Sequence, residues 1–146
     1  MAEEKVYALV LAGGRSSRMG ADKALLDWGG ETLLERAARF WRESGRVERI
    51  LVSVGPQAHF SAAQLPEGVQ AVADLEQGRG PMAGLAAAFA CSDADVLCVS
   101  AVDMPNLTAE AVLPVPKGDA AVYRLNGRRE PLFGVYRRSV LPAAQK

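Results

Sequence analysis

Lys5-Val6-Tyr7-Ala8-Leu9-Val10-Leu11, closed by Gly13-Gly14, decides how the chain is read. The run is short, rich in β-formers and stopped by paired glycines, so it predicts a buried strand. Working outward, Arg49 to Val54 (RILVSV), Val69 to Ala73 and Asp95 to Ser100 (DVLCVS) read as further strands, the last the most continuously apolar. Helical patterns lie between them. Thr32-Leu33-Leu34-Glu35 is a capping-box sequence, and it opens a helix over Thr32 to Arg42. Leu33, Leu34, Ala37, Ala38 and Trp41 fall on one face of that helix. Pro81 suits a first helical position and opens an Ala-rich helix to Ala90. Short helices over His59 to Gln64 and Thr108 to Leu113, then late strands over Ala120 to Arg124 and Leu132 to Tyr136, complete the pattern. Strands alternating with helices imply an α/β fold, a three-layer sandwich with a mostly parallel twisted sheet. Ligands of such sheets bind outside the carboxyl ends of the strands.

Composition bounds the function. The 146 residues fit one domain, residues 1–146. With 17 basic and 17 acidic side chains, the chain is not a dedicated nucleic-acid binder. No stretch reaches the ~18 apolar residues of a membrane span. Glu3 and Glu4 are acidic where a signal peptide is basic, so the expected home is the cytoplasm. Cys91 and Cys98 match no metal or redox spacing, and Cys98 reads as a buried strand thiol. His59 is the single His, so no zinc site is expected. No Gly-x-Ser-x-Gly elbow exists for a hydrolase. Trp28 and Trp41 read as core.

Three places after strands carry unusual chemistry. The first is Leu11-Ala12-Gly13-Gly14-Arg15-Ser16-Ser17-Arg18-Met19-Gly20-Ala21-Asp22-Lys23. Its glycines let the backbone approach a ligand. Ser16, Ser17 and nearby N–H groups can donate to phosphate oxygens. Arg15, Arg18 and Lys23 set three positive charges against Asp22. The pattern is neither a Walker A loop nor a dinucleotide fingerprint. A solvated basic loop is the plainer alternative. The second place is Val102-Asp103-Met104-Pro105, after the most apolar strand. Asp103 is either a Mg²⁺ ligand or a turn residue. Asp74, after the third strand, is similarly a nucleotide contact or a turn residue. The third is Gly80-Pro81-Met82-Ala83-Gly84 at a helix start, read equally as an anion contact or as close helix–sheet packing. A fourth segment is basic. Arg124, Arg128, Arg129, Arg137 and Arg138 oppose only Glu130, as a rim for a second anionic substrate or as a solvated hairpin.

Together these residues resemble the Rossmann-like nucleotidyltransferases. LAGGRSSRMGADKALL (Leu11 to Leu26) is similar to the signature of that superfamily. GPMAGL (Gly80 to Leu85), VDMP (Val102 to Pro105) and REPLFGVYRR (Arg129 to Arg138) resemble the molybdenum cofactor guanylyltransferases within it. The resemblance implies transfer of GMP from GTP to Mo-molybdopterin, with Mg²⁺ as cofactor and pyrophosphate released. It implies that Leu11, Ala12, Gly13, Gly14, Arg15 and Ser16 contact the nucleotide, with Ser53, Asp74, Gly80, Pro81 and Gly84. Arg18 and Lys23 would neutralise the triphosphate, and Asp103 would bind the metal. Transient contact with other molybdenum cofactor proteins is a further family expectation.

Two departures stand out. Ser53 takes a place where the family often has Asn, with shorter reach and no amide fork. The family usually continues through another helix and an Asn-rich, Thr-Pro segment on the pterin side, and the expectation here is either a truncated product or a short form that has lost part of the acceptor site. The nearest rival within the fold is a cytidylyltransferase for molybdopterin or another phosphate nucleotidyltransferase. Gly13-Gly14 and Gly80 to Gly84 resemble the guanylyl branch instead. The rival from another class is a non-catalytic nucleotide-binding module.

Overall fold

Strand β1 (Val6–Leu11) sits inside a six-stranded sheet and has neighbours on both sides. The computed structural model describes residues 4–11, 27–54, 65–73, 81–101, 120–125 and 128–140. On one side of β1 lies β4 (Arg49–Val54), then β5 (Val69–Ala73). On the other lies β6 (Val96–Ala101), then β8 (Arg128–Arg137) and β7 (Ala120–Leu125). The strands β5, β4, β1 and β6 are parallel, and β8 is antiparallel to both β6 and β7. The expected mostly parallel sheet is therefore present, with an antiparallel hairpin at one edge.

Alternation along each strand builds two cores. Ala8, Val10, Ile50, Val52, Val96, Cys98 and Val135 pack on helix α1 (Leu33–Ser44). Tyr7, Leu9, Leu51, Leu97, Val99 and Tyr136 pack on the opposite face with helix α2 (Pro81–Cys91). Both faces of β6 are covered, and all its residues are buried. That explains its continuous apolar run, since a strand covered on both faces has no polar side to show.

Helix α1 starts as its sequence dictates. Glu35 N–H donates to Thr32 Oγ1 at 3.0 Å, and Thr32 N–H donates to Glu35 Oε1 at 2.8 Å. Both bonds satisfy donors that a helix start leaves free. Leu33, Leu34, Ala38 and Trp41 are buried as expected, and Phe40 joins them. Trp41 stacks edge-on against Phe40 with centroids 4.8 Å apart.

Two differences from the sequence pattern have local causes. A small hairpin pairs β2 (Asp27–Trp28) with β3 (Glu31–Thr32). Its strands are too short to give a periodicity, and Gly29 and Gly30 supply the positive φ of its tight turn. Strand β8 begins at Arg128, ahead of the apolar stretch at Leu132. Its first residues join the sheet by pairing with Tyr123–Leu125, which hydrophobicity does not encode. The expected helices over His59–Gln64 and Thr108–Leu113 lie outside the described residues.

Candidate active site

The carboxyl ends of three strands meet at Leu11. Its register partners are Ser53 on β4 and Ala101 on β6. The chain runs from β1 outward through β4 and β5, then returns to place β6 on the other side of β1. The β1–β6 boundary is thus the point where the strand order reverses. Open α/β sheets bind ligands there because the connections diverge and leave a crevice.

Helix α2 closes on this edge from one face. Gly84, in its first turns, packs on Leu11 and Ser53. A Cβ added at Gly84 would lie 2.6 Å from Ser53 Oγ, 3.2 Å from Leu11 Cδ2 and 3.3 Å from Ser53 Cβ. The structure therefore brings together three of the sequence-predicted residues: Leu11, Ser53 and Gly84. Ser53 is 3% exposed, beneath the helix. For Gly84 the packing reading is realised, because only a residue without a Cβ admits this approach. Pro81 is the first residue of α2, as its missing N–H favours. No acidic residue occupies the first turn of the helix.

The remaining candidates, Ala12, Gly13, Gly14, Arg15, Ser16, Arg18, Lys23, Asp74, Gly80 and Asp103, lie outside the described residues. Their attachment points are nonetheless common. The chain leaves β1 at Leu11, β5 at Ala73 and β6 at Ala101, and it enters α2 at Pro81. The three strands are parallel and end at one edge of the sheet.

One contact beside this edge had no sequence signal. Trp41 Nε1 donates to Ser100 Oγ at 3.0 Å, with both residues 1% exposed. The bond ties the carboxyl end of β6, shortly before Asp103, to α1.

The basic segment divides between the two ends of the sheet. Arg137 is paired with Glu4, and Arg138 donates to the carbonyls of Ala94 at 3.0 Å and Ser92 at 2.9 Å. The Arg138 guanidinium also stands 5.2 Å from the Phe89 ring centroid. Both arginines lie beside the amino end of β6, since Arg137 is the register partner of Val96. They hold strand, loop and helix together at the end opposite the candidate site and do not belong to a rim around it. At the same far end an open cavity of about 390 Å³ is lined by Tyr7, Arg49, Gln70, Cys91 and Asp93 among others. There Asp93 accepts from Lys5 Nζ and from Tyr7 Oη, and these bonds hold its carboxyl down at about 2.

Cys98 is buried as expected, and burial pushes its thiol up to about 11. Among the described residues no group of three or more His, Cys, Asp or Glu is placed to hold a metal ion. Among them, too, no helix is long and apolar enough to cross a membrane.

Residues 8–146 match the family model described as the MobA-like NTP transferase domain. The chain belongs to this family. A molybdenum cofactor guanylyltransferase of Xanthomonas euvesicatoria pv. vesicatoria is 43% identical over 102 residues, 69% of this chain and 48% of that protein. A protein of Opitutus terrae named "Probable molybdenum cofactor guanylyltransferase" is 38% identical over 144 residues, 94% of this chain and 69% of its own length. The chain thus spans about half of the first relative and about two thirds of the second. Among solved structures, Rv0371c of Mycobacterium tuberculosis H37Rv superimposes with a TM-score of 0.76 at 23% identity, covering 100% of this chain and 78% of that one. A second structure of Rv0371c, described as a complex with manganese, gives 0.75 at 21% identity, covering 99% and 77%. These superpositions show that the chain shares the fold of Rv0371c.

Proposed function

We propose that this MobA-like domain transfers GMP from GTP to the phosphate of Mo-molybdopterin and releases pyrophosphate. The observation that carries the reading is the convergence of Leu11, Ser53 and Gly84 where the strand order reverses, at the edge from which the glycine-rich loop and Asp103 both depart. The names of the two curated relatives support the choice of reaction.

In this reading an oxygen of the acceptor phosphate attacks the α-phosphorus of GTP. The bond from that phosphorus to the α,β-bridging oxygen breaks, and pyrophosphate leaves with the electron pair. The attacking phosphate is ionised near neutral pH, so no strong general base is needed. The protein contributes positioning and charge stabilisation. Gly13 and Gly14 bring backbone N–H groups close to the nucleotide. Arg18 and Lys23 neutralise the triphosphate and the leaving group. Ser53 and Gly84 serve the site from beneath by seating α2, with Gly80 and Pro81 at its ligand-facing end.

β6 ends at Ala101 beside Leu11 of β1, two residues before Asp103. A single carboxylate there would suit Mg²⁺, which is commonly held by one or two carboxylates together with substrate phosphates. When bound, the ion would offset charge on the phosphate oxygens. Rv0371c, which shares the fold, has a structure with manganese.

The test is calorimetric titration with GTP, CTP and ATP, each with and without Mg²⁺, followed by a pyrophosphate assay with molybdopterin. Mg²⁺-supported preference for GTP and acceptor-dependent pyrophosphate release are expected. Asp103→Ala should abolish release while the fold persists. Preference for CTP would move the activity to the cytidylyl branch. Nucleotide binding without acceptor-dependent release would leave a binding module, and full activity of Asp103→Ala would remove the metal assignment.

A further inference from the structure

Strand β6 outruns one of its neighbours. Its pairing with β8 ends at Val99 and Gly134. Among the described residues, Ser100 and Ala101 therefore have register partners on β1 alone, Val10 and Leu11. They form the end of β6 at the crevice, and the chain reaches Asp103 two residues after Ala101. Ser100 also departs from the character of its strand. Val96, Leu97, Cys98 and Val99 are apolar and buried, whereas Ser100 puts a hydroxyl at 1% exposure. A buried hydroxyl costs free energy unless it is bonded, and Trp41 Nε1 meets this one at 3.0 Å. Replacing both partners by apolar groups of the same shape can be nearly neutral for stability. What the polar pair adds is direction. Apolar contact is non-directional, while a hydrogen bond fixes a distance and an angle.

The donor is itself held. Trp41 belongs to α1, which is closed at its start by the capping box of Thr32 and Glu35 and at its end by Gly45, whose N–H donates to Arg42 O at 3.3 Å. Ser44 Oγ donates to Trp41 O at 2.6 Å, and the Phe40 ring stands edge-on to the indole. After Ser44 the chain enters the amino end of β4 at Arg49, yet the indole meets the carboxyl end of β6. Helix side chains lean toward the helix N-terminus, and this gives Trp41 its reach.

We propose that Trp41 and Ser100 are positioning residues for the reaction, their bond clamping the end of β6 where its ladder to β8 has stopped and so fixing the point from which the Asp103 segment departs. The inference rests on the transferase reading above, with Asp103 on the metal. Mg²⁺ demands near-octahedral coordination, so a carboxylate two residues past Ala101 serves it only if that strand end is fixed. Trp41 and Ser100 are both buried, and they act through the segment they anchor.

The experiment compares the full chain with Ser100→Ala, Ser100→Thr, Ser100→Val and Ser100→Ala/Asp103→Ala. Circular dichroism checks folding. Threonine and valine share a shape and differ in the hydroxyl, so that pair carries the test if Ser100→Ala does not fold. Calorimetry measures GTP affinity with and without Mg²⁺. In Ser100→Ala the gain in affinity that Mg²⁺ brings should fall by about tenfold, the scale on which supporting contacts tune a metal site. Affinity without Mg²⁺ should hold. Ser100→Thr should keep more of the gain than Ser100→Val, and in the Asp103→Ala background the loss of Ser100 should change nothing further. A merely structural role lowers the thermal midpoint without moving the Mg²⁺ gain. An unchanged gain, an equal loss with and without Mg²⁺, or equal behaviour of the threonine and valine variants would overturn the proposal. A second readout needs no ligand. Amide hydrogen exchange, followed residue by residue by NMR, should show Val10, Leu11 and Ala101 losing more protection in Ser100→Ala than Val96 to Val99. Equal loss along β6 would mean general destabilisation and overturn the clamp. Absence of Mg²⁺-supported GTP binding by the unaltered chain counts against the transferase reading alone, and the exchange arm then decides the clamp.

Discussion

Ser53 occupies the space that a side chain at Gly84 would need, with its Oγ 2.6 Å from the position of a Cβ there. No real Cβ tolerates that distance, so strand β4 and helix α2 are seated by the pair of small residues between them. The pair also limits Ser53. Its hydroxyl lies under the helix at 3% exposure, which makes it first a packing residue at the candidate site.

Gly84→Ala should therefore push α2 off the sheet. Alanine favours the helix by about 1 kcal/mol over glycine, while overpacking costs about 1–3 kcal/mol, so the net loss of stability is modest. The larger effect should be on nucleotide affinity, because the displaced element is the one that meets the ligand edge. Ser53→Ala removes the 2.6 Å conflict and leaves the contacts at 3.2 and 3.3 Å, so Ser53→Ala/Gly84→Ala should recover part of the lost GTP affinity. Calorimetry on the double-mutant cycle measures it. Strictly additive effects would show that the two residues are not coupled.

Asp93 should give the stability curve an acid limb. Its carboxyl accepts from Lys5 and Tyr7, and these bonds lower it from 3.8 to about 2. A group held below its unfolded value stabilises above the unfolded value and loses that contribution as pH falls through the folded one. Asp93→Asn should accordingly be less stable than the unaltered chain at neutral pH, and the gap should close between about pH 4 and pH 2. Urea midpoints across that range read it directly. A gap of constant size down to pH 2 would mean that the carboxylate charge is not what matters. The pair is exposed, so the effect is small.

Legibility in the sequence followed local determinism. The bounds of β4 and β5 matched the runs Arg49–Val54 and Val69–Ala73, whose β-formers mark them locally. The capping box at Thr32 was readable because its partners are three residues apart. The motif after β1 was readable as chemistry, since glycines and cations were adjacent in the chain. Partnerships set by tertiary structure were not. Ser53 and Gly84 meet only because α2 folds back over β1 and β4. Arg137 and Arg138 looked continuous with Arg128 and Arg129 by charge, yet the length of β8 sends the two pairs to opposite ends of the sheet. The hairpin of β2 and β3 gave no periodic signal at two residues per strand.

The bond from Trp41 to Ser100 joins residues 59 apart in sequence, and it makes the sharpest stability prediction. Ser100→Ala leaves an indole N–H in a 1% exposed site without its acceptor, which costs about 1–3 kcal/mol. Trp41→Phe leaves the Ser100 hydroxyl without its donor and also opens space in the core, so it should cost more. In Trp41→Phe/Ser100→Ala both polar partners are gone, and the second penalty should largely disappear. Urea unfolding of the three variants gives the coupling, expected at about 0.5–3 kcal/mol for residues in contact. Zero coupling would mean that the two groups are satisfied independently. β6 would then be held at its carboxyl end by packing alone, and its continuously buried run would have to position the Asp103 segment without a polar tie to α1.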